Sequence, residues 1–156
     1  MILCIRSRSG FTLVEMVTVV VLLSILSVVA LSRLGGVSGF ERRAYFEEVV
    51  NALRYGHKLA ISTGCNVRVD VTSSSYRLRQ GTSCSATTFD RNVLNPANRT
   101  SAYQNLSPPD GITISPAASF IFTPQSTVTG LGADTIFTVG SLQFTVFQNT
   151  GLVDVN

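Results

Sequence analysis

Apolar positions along this chain follow three different rhythms. From Phe11 to Leu34 nearly every residue is apolar or small, and Glu15 and Arg33 are the ionisable exceptions. An apolar run of that length predicts a helix of about 36 Å, enough to cross a hydrocarbon core of about 30 Å. The next five residues, Gly35-Gly36-Val37-Ser38-Gly39, form a weak point, because each glycine in a helix interior costs about 1 kcal/mol relative to alanine. From Phe40 to Ser62 a helical period returns, with Phe46, Val49, Val50, Leu53 and Ala60 on one stripe, so this half is expected to pack on a domain. From Cys65 onward the period becomes two.

In that third region Val67, Val69 and Val71 alternate with Arg68 and Asp70, then Tyr76 and Leu78 alternate with Arg77 and Arg79. This reads as a hairpin turning at Ser73-Ser74, with the apolar residues on the buried side. The register sets Asp70 opposite Arg77, a favourable pair, and Arg68 opposite Arg79, a repulsive one unless an anion sits between them. Arg68, Arg77 and Arg79 are therefore the candidate contacts for an anion or for DNA. Residues 85–110, rich in Ser, Thr, Asn and Pro, are expected to be mostly loop with short edge strands around Tyr103 and Leu106. Strand signals return at Ile112–Ser115, Ser119–Thr123, Thr135–Val139, Leu142–Phe147 and Leu152–Val155, and Phe120, Phe122, Phe137, Phe144 and Val146 are the expected core. The predicted class is α+β: a long N-terminal helix packed on a small antiparallel sheet domain.

At 156 residues the chain has room for one compact domain and an appendage. Its net charge of +3 is modest and by itself singles out no partner. The position of the charge says more, since Arg6 and Arg8 precede the apolar run and the positive-inside bias keeps that end in the cytoplasm. The C-terminal domain is then expected outside, where Cys65 and Cys84 form an even pair and Cys4 is left in the leader. We expect a Cys65–Cys84 disulfide, which would stabilise the domain by roughly 3 kcal/mol through loop closure.

Catalytic signals are lacking. No phosphate-binding glycine loop, zinc-type spacing or nucleophile elbow occurs, and His57, the single histidine, falls at the border of the apolar stripe, where a satisfied structural role is expected. Asp70, Asp90, Asp110, Asp134 and Asp154 are scattered through turns and strand ends, and Arg54 and Lys58 read as a like-charged pair on the solvent side of the helix. No enzyme activity, cofactor or metal is expected.

The sharpest feature is Glu15. A carboxylate near the middle of a helix in hydrocarbon costs roughly 2.5–3.5 kcal/mol, less near the interface, so it needs a partner or a route to the headgroups. Snorkelling to the interface is one reading, and a cleaved secretory signal ending at Val28-Val29-Ala30 is another for the segment as a whole. Gly10 followed by Phe11-Thr12-Leu13-Val14-Glu15 resembles the cleavage and methylation motif of type IV prepilins and type II secretion pseudopilins. The resemblance implies a prepilin peptidase that cuts between Gly10 and Phe11 and methylates the new amino group of Phe11. It also implies that Glu15 meets the N-terminal ammonium of a neighbouring subunit as helices stack into a filament. Two such charges about 4 Å apart attract by roughly 4 kcal/mol at an effective dielectric near 20, comparable to the cost of burying the carboxylate.

The arrangement as a whole resembles the H-type minor pseudopilins and the FimT-like and MSHA-type minor pilins. It implies a leader at 1–10, a transmembrane and assembly helix at 11–34, the periplasmic half of the helix at 35–62 and a β-rich head at 63–156. Two departures stand out: Ser32 occupies a position where many members carry proline, and Ser126, two residues after Pro124, one where many carry glycine. The implied function is a structural subunit of a type IV pilus or secretion pseudopilus that helps initiate assembly in the inner membrane, with other pilins, the peptidase and membrane lipid as partners. The alternatives are a DNA-receptor minor pilin for natural transformation and a membrane-anchored periplasmic enzyme or binding protein. Nucleic acid is the less favoured partner, because Asp154 follows the Gly151 turn and no arginine does.

Overall fold

A computed structural model describes residues 12–33 and 37–155. The chain divides into two compact units, Met1–Ser38 and Gly39–Asn156. The first unit contains helix α1, Leu13–Arg33, whose described side chains run through Ser27. Its Ser and Thr hydroxyls fold back onto the helix: Thr18 Oγ1 donates to the Glu15 carbonyl at 2.9 Å, Ser24 Oγ to Val21 and Ser27 Oγ to Leu23, both at 2.7 Å. Each hydroxyl thereby satisfies itself within the helix. Among the described residues no helix is long and apolar enough to cross a membrane. The crossing expected of residues 11–34 is carried below as a proposal.

Helix α2, Val37–Thr63, enters the second unit at Gly39 and supplies one wall of its core. The predicted stripe is buried there: Phe46, Val49, Val50, Leu53 and Ala60, joined by Tyr45 and Ala52. Two sheets cover that stripe. The first contains β1 (Val67–Thr72), β2 (Ser75–Gln80), β3 (Arg91–Asn92), β4 (Gln104–Asn105), β6 (Ala118–Phe122) and β7 (Val128–Thr129), in the order β3-β2-β1-β6-β7 with β4 also paired to β2. The second orders β10 (Val153–Val155), β9 (Leu142–Val146), β8 (Thr135–Val139) and β5 (Ile114–Ser115).

The hairpin register is the one read from the sequence, with Val71 opposite Tyr76, Asp70 opposite Arg77 and Arg68 opposite Arg79. Apolar alternation fixes it, since a one-residue slip would turn Val69 and Leu78 to solvent. The aromatic residues stitch the two sheets and the helix together. Phe120 of the first sheet lies 5.9 Å from Phe137 of the second, Phe137 stacks on Phe144 at 5.3 Å, and Phe144 meets Phe46 of α2 edge-on at 6.0 Å. Gly56 lets the helix come close, because a Cβ there would stand 3.1 Å from Leu78 Cδ2.

Three details differ from the sequence reading. The later strands divide between two sheets: β6 and β7 extend the hairpin sheet beside β1, while β5 and β8–β10 form a sheet of their own. The edge strands near residue 105 are preceded by β3 and a bridge between Leu94 and Ala102, and Leu106 itself is exposed outside a strand. Arg54 does not pair with solvent alongside Lys58, because its Nε and Nη2 both donate to the Val153 carbonyl, at 3.1 and 3.0 Å. That contact pins α2 to β10.

Candidate functional site

Gly10 and Phe11 lie outside the described residues, so the motif is seen from Thr12 onward. Thr12 caps α1: its Oγ1 accepts from the Glu15 amide at 3.3 Å, and its carbonyl accepts from the Met16 amide at 3.2 Å. Thr12-Leu13-Val14-Glu15 is therefore also a Thr-x-x-Glu capping sequence, with Glu15 at the third helical position. A carboxylate in the first turn interacts favourably with the exposed amides of the helix start, by about 0.3–1 kcal/mol. Sequence reasoning missed this local role, although Thr followed three residues later by Glu before an apolar run was its signal. Among the described residues the Glu15 carboxylate has no hydrogen-bond partner, and it is exposed. On the opposite side of the helix from Glu15, Leu13, Met16, Val17, Val20 and Val21 border a shallow apolar groove of about 280 Å³.

In the head unit Cys65 and Cys84 are joined in a disulfide, with Cα atoms 4.4 Å apart. It ties the end of α2 to the loop after β2. Arg68, Arg77 and Arg79 share the outer face of the first sheet, and the ion pair there is not the cross-strand one. Arg68 Nε donates to Asp70 Oδ1 at 2.8 Å along its own strand, and Ser119 Oγ donates to the same oxygen. The Arg77 side chain, directly opposite Asp70, makes no hydrogen bond among the described residues.

A second polar cluster went unnoticed in the sequence. Glu48 of α2 is half-buried and accepts from Tyr76 Oη at 2.6 Å and from Asn105 Nδ2 at 3.1 and 3.2 Å. Charge-assisted bonds of this kind contribute roughly 1.5–3 kcal/mol each and hold the long 85–110 segment against the helix. Burial, helped by the neighbouring Glu48 charge, pushes the Tyr45 hydroxyl up to about 12, and burial and Glu48 also raise Tyr76 and Tyr103. All three stay neutral at physiological pH, and Tyr76 is the one that donates to Glu48, while the buried Tyr45 hydroxyl has no partner among the described residues. The available signal was Glu48 lying three residues after Tyr45 and four before Ala52, on the apolar stripe rather than beside it.

His57 stands at the border of the core, as its position in the stripe predicts, but it is not satisfied. Nε2 is buried with no hydrogen-bond partner among the described residues, and the ring lies 5.3 Å from that of Phe122. Burial holds the imidazole below its ordinary pKa. Among the described residues no group of His, Cys, Asp and Glu could hold a metal ion.

Against known proteins, residues 5–31 match the prokaryotic N-terminal methylation motif. The fold is similar to that of the type IV minor pilin FimU of Pseudomonas aeruginosa. One FimU crystal structure, in space group P21, matches with a TM-score of 0.55 at 12% identity, over 76% of this chain and 90% of that one. Another, in space group P65, matches with a TM-score of 0.51 at 13% identity, over 73% and 91%. No curated protein matches the chain. A prokaryotic N-terminal methylation motif thus lies ahead of a domain with the fold of a type IV minor pilin.

Proposed function

We propose that this chain is a minor pilin or pseudopilin, a structural subunit of a type IV pilus or type II secretion pseudopilus that helps initiate filament assembly. The observation that carries the reading is the methylation motif over residues 5–31 joined to a head with the fold of a minor pilin. Residues 1–10 are the leader, removed by prepilin peptidase between Gly10 and Phe11, and Phe11 is then methylated. Residues 11–34 anchor the subunit in the inner membrane with the N-terminus cytoplasmic. Residues 35–62 continue the helix on the periplasmic side, and residues 63–156 form the head. The exposed apolar surface of α1 supports this reading, since eleven large apolar residues between Leu13 and Leu26 are open on the isolated helix. At roughly 1.5–3 kcal/mol for each one fully buried, even half of the total rivals the 5–15 kcal/mol that holds a whole domain together. Lipid first, and neighbouring pilin helices afterwards, would cover it. The work of the subunit is packing, and we assign it no catalytic step.

Two variants separate the contributions of Glu15. Glu15→Ala is expected to be processed normally yet to enter filaments poorly, whereas Glu15→Gln retains a neutral capping group and should show the same assembly defect. Wild-type incorporation of the Gln variant would mean that helix capping, not charge pairing, is what Glu15 contributes. Mass spectrometry of the mature chain tests the reading as a whole: a methylated N-terminal Phe11 is expected, and an N-terminus at Leu31 or an intact Met1 would overturn it.

A further inference from the structure

The outer face of the first sheet is an ordered electropositive platform. In one row, Arg68 is flanked by Arg79 on β2 and Ile121 on β6; in the next, Asp70 is flanked by Arg77 and Ser119. Beyond the arginines lie amide side chains, with Asn92 opposite Arg79 and Gln104 opposite Arg77. Three guanidinium groups thus surround a single carboxylate. That carboxylate is already engaged, by Arg68 Nε at 2.8 Å and by the Ser119 hydroxyl. Burial pushes the Asp70 carboxyl up, but the Ser119 and Arg68 hydrogen bonds and the nearby Arg68 and Arg79 charges outweigh it and hold the group below the usual range. It stays ionised at neutral pH and offsets one guanidinium, leaving two.

Arg77 and Arg79 are half-buried, their side chains make no hydrogen bond among the described residues, and their Nε atoms are covered by protein without an acceptor. A partly desolvated cation lacking an acceptor is unfavourable, and an arriving anion relieves that cost. From Arg68 a shallow cleft of about 210 Å³ runs on to Thr129 and Gly130 over Ser119 and Ile121.

We propose that this face binds an acidic peptide segment of a neighbouring subunit, with one carboxylate seated between Arg77 and Arg79 and the adjoining residues running past Arg68 into the cleft. The inference rests on the filament reading only for the owner of the segment. A planar carboxylate suits the guanidinium fork, and the Asn92, Gln104 and Ser119 side chains offer the mixed donors and acceptors that a peptide backbone needs. A nucleic-acid track fits less well. Strong phosphate binding draws on many cations along a groove, often with exposed aromatic rings for stacking, whereas here the excess is two and Asp70 stands in the middle.

The test uses the full chain in detergent micelles and a fluorescently labelled hexaglutamate peptide, followed by anisotropy at about 150 mM salt, where a Debye length of about 8 Å screens diffuse attraction. Saturable binding is expected, weakened roughly tenfold or more in the Arg77→Gln/Arg79→Gln variant and unchanged by Arg99→Gln in the exposed loop. Asp70→Asn, which removes the competing charge, should tighten binding about threefold and guards against a misfolded double variant. Absence of hexaglutamate binding, equal binding by the double variant, or no tightening in Asp70→Asn would each overturn the proposal. So would tighter binding of a labelled single-stranded oligonucleotide, which would assign the face to nucleic acid. Because no filament is needed, these results are independent of the maturation test above.

Discussion

Leu23 in α1 and Phe144 in β9 are both large apolar side chains, yet the first is 57% exposed and the second is fully buried. The contrast extends to whole regions. In α1 the apolar residues surround the helix, and hydroxyls hide their polarity against their own backbone. In the head the apolar residues occupy one stripe of α2 and the inner faces of two sheets, and the charges stay outside. A helix apolar on all sides has no inside of its own, so its stability depends on what surrounds it. The head needs no such help, because its core is internal.

The largest expected effect tests that contrast directly. Phe144→Ala removes a ring stacked on Phe137 and in edge contact with Phe46, and should lower head stability by about 3–5 kcal/mol in thermal unfolding followed by near-ultraviolet circular dichroism. Leu23→Ala should leave the same transition within about 0.5 kcal/mol. Comparable losses from both would mean that α1 is part of the head's cooperative unit.

A smaller effect is expected at the turn before β10. Gly151 has φ of 62°, and a Cβ there would stand 2.7 Å from His57 Nε2 and 3.1 Å from the Ser126 carbonyl. Gly151→Ala should cost about 2 kcal/mol through backbone strain and the clash with the ring. Full recovery in a Gly151→Ala/His57→Ala double variant would show that the ring contact is the whole cost; the strain part should persist.

Ser126 gives a gain instead of a loss. It has φ of 62°, a left-handed conformation that glycine adopts without penalty, within a turn closed by the Thr123 amide on the Thr127 carbonyl at 2.9 Å. Ser126→Gly should stabilise the head by about 0.5–1 kcal/mol, less what glycine adds to the freedom of the unfolded chain. A destabilised variant would mean that the serine hydroxyl matters more than the backbone.

The smallest effect is a slope with pH. The folded His57 titrates below its ordinary value of 6.5, so the unfolded chain binds the proton more readily. Its contribution is complete above about pH 6.5 and is lost as the pH falls through the folded pKa. Asp70, held below 3.8, loses its contribution only in more acidic solution. The midpoint of urea unfolding should therefore decline on acidification below neutrality in the native chain, and more weakly in His57→Gln. Parallel profiles for the two chains would remove His57 as the cause.

Much of this molecule is readable from residue order because the forces concerned are local or strictly periodic. The apolar run, the helical stripe of α2 and the alternation of Val67, Val69, Val71, Tyr76 and Leu78 each follow from a period that one element imposes on its own residues. The hairpin register follows too, since only one pairing keeps both sets of apolar side chains inside.

What the order of residues left undecided is set by contacts between distant segments. Nothing local says that β6 returns beside β1 while β5 joins β8, because each strand has the same alternation and either sheet would bury it. Arg54 reads as a solvent-facing charge until β10 brings the Val153 carbonyl to it, and Glu48 as one of many helix-surface acids until Tyr76 and Asn105 close around it. Asp70 faces Arg77 in the register yet bonds Arg68, a choice made when β6 carries Ser119 to the same oxygen. Periodicity decides which face of an element is buried; the partners that meet there depend on how far-apart pieces of chain are brought together, and that information exists only in the folded molecule.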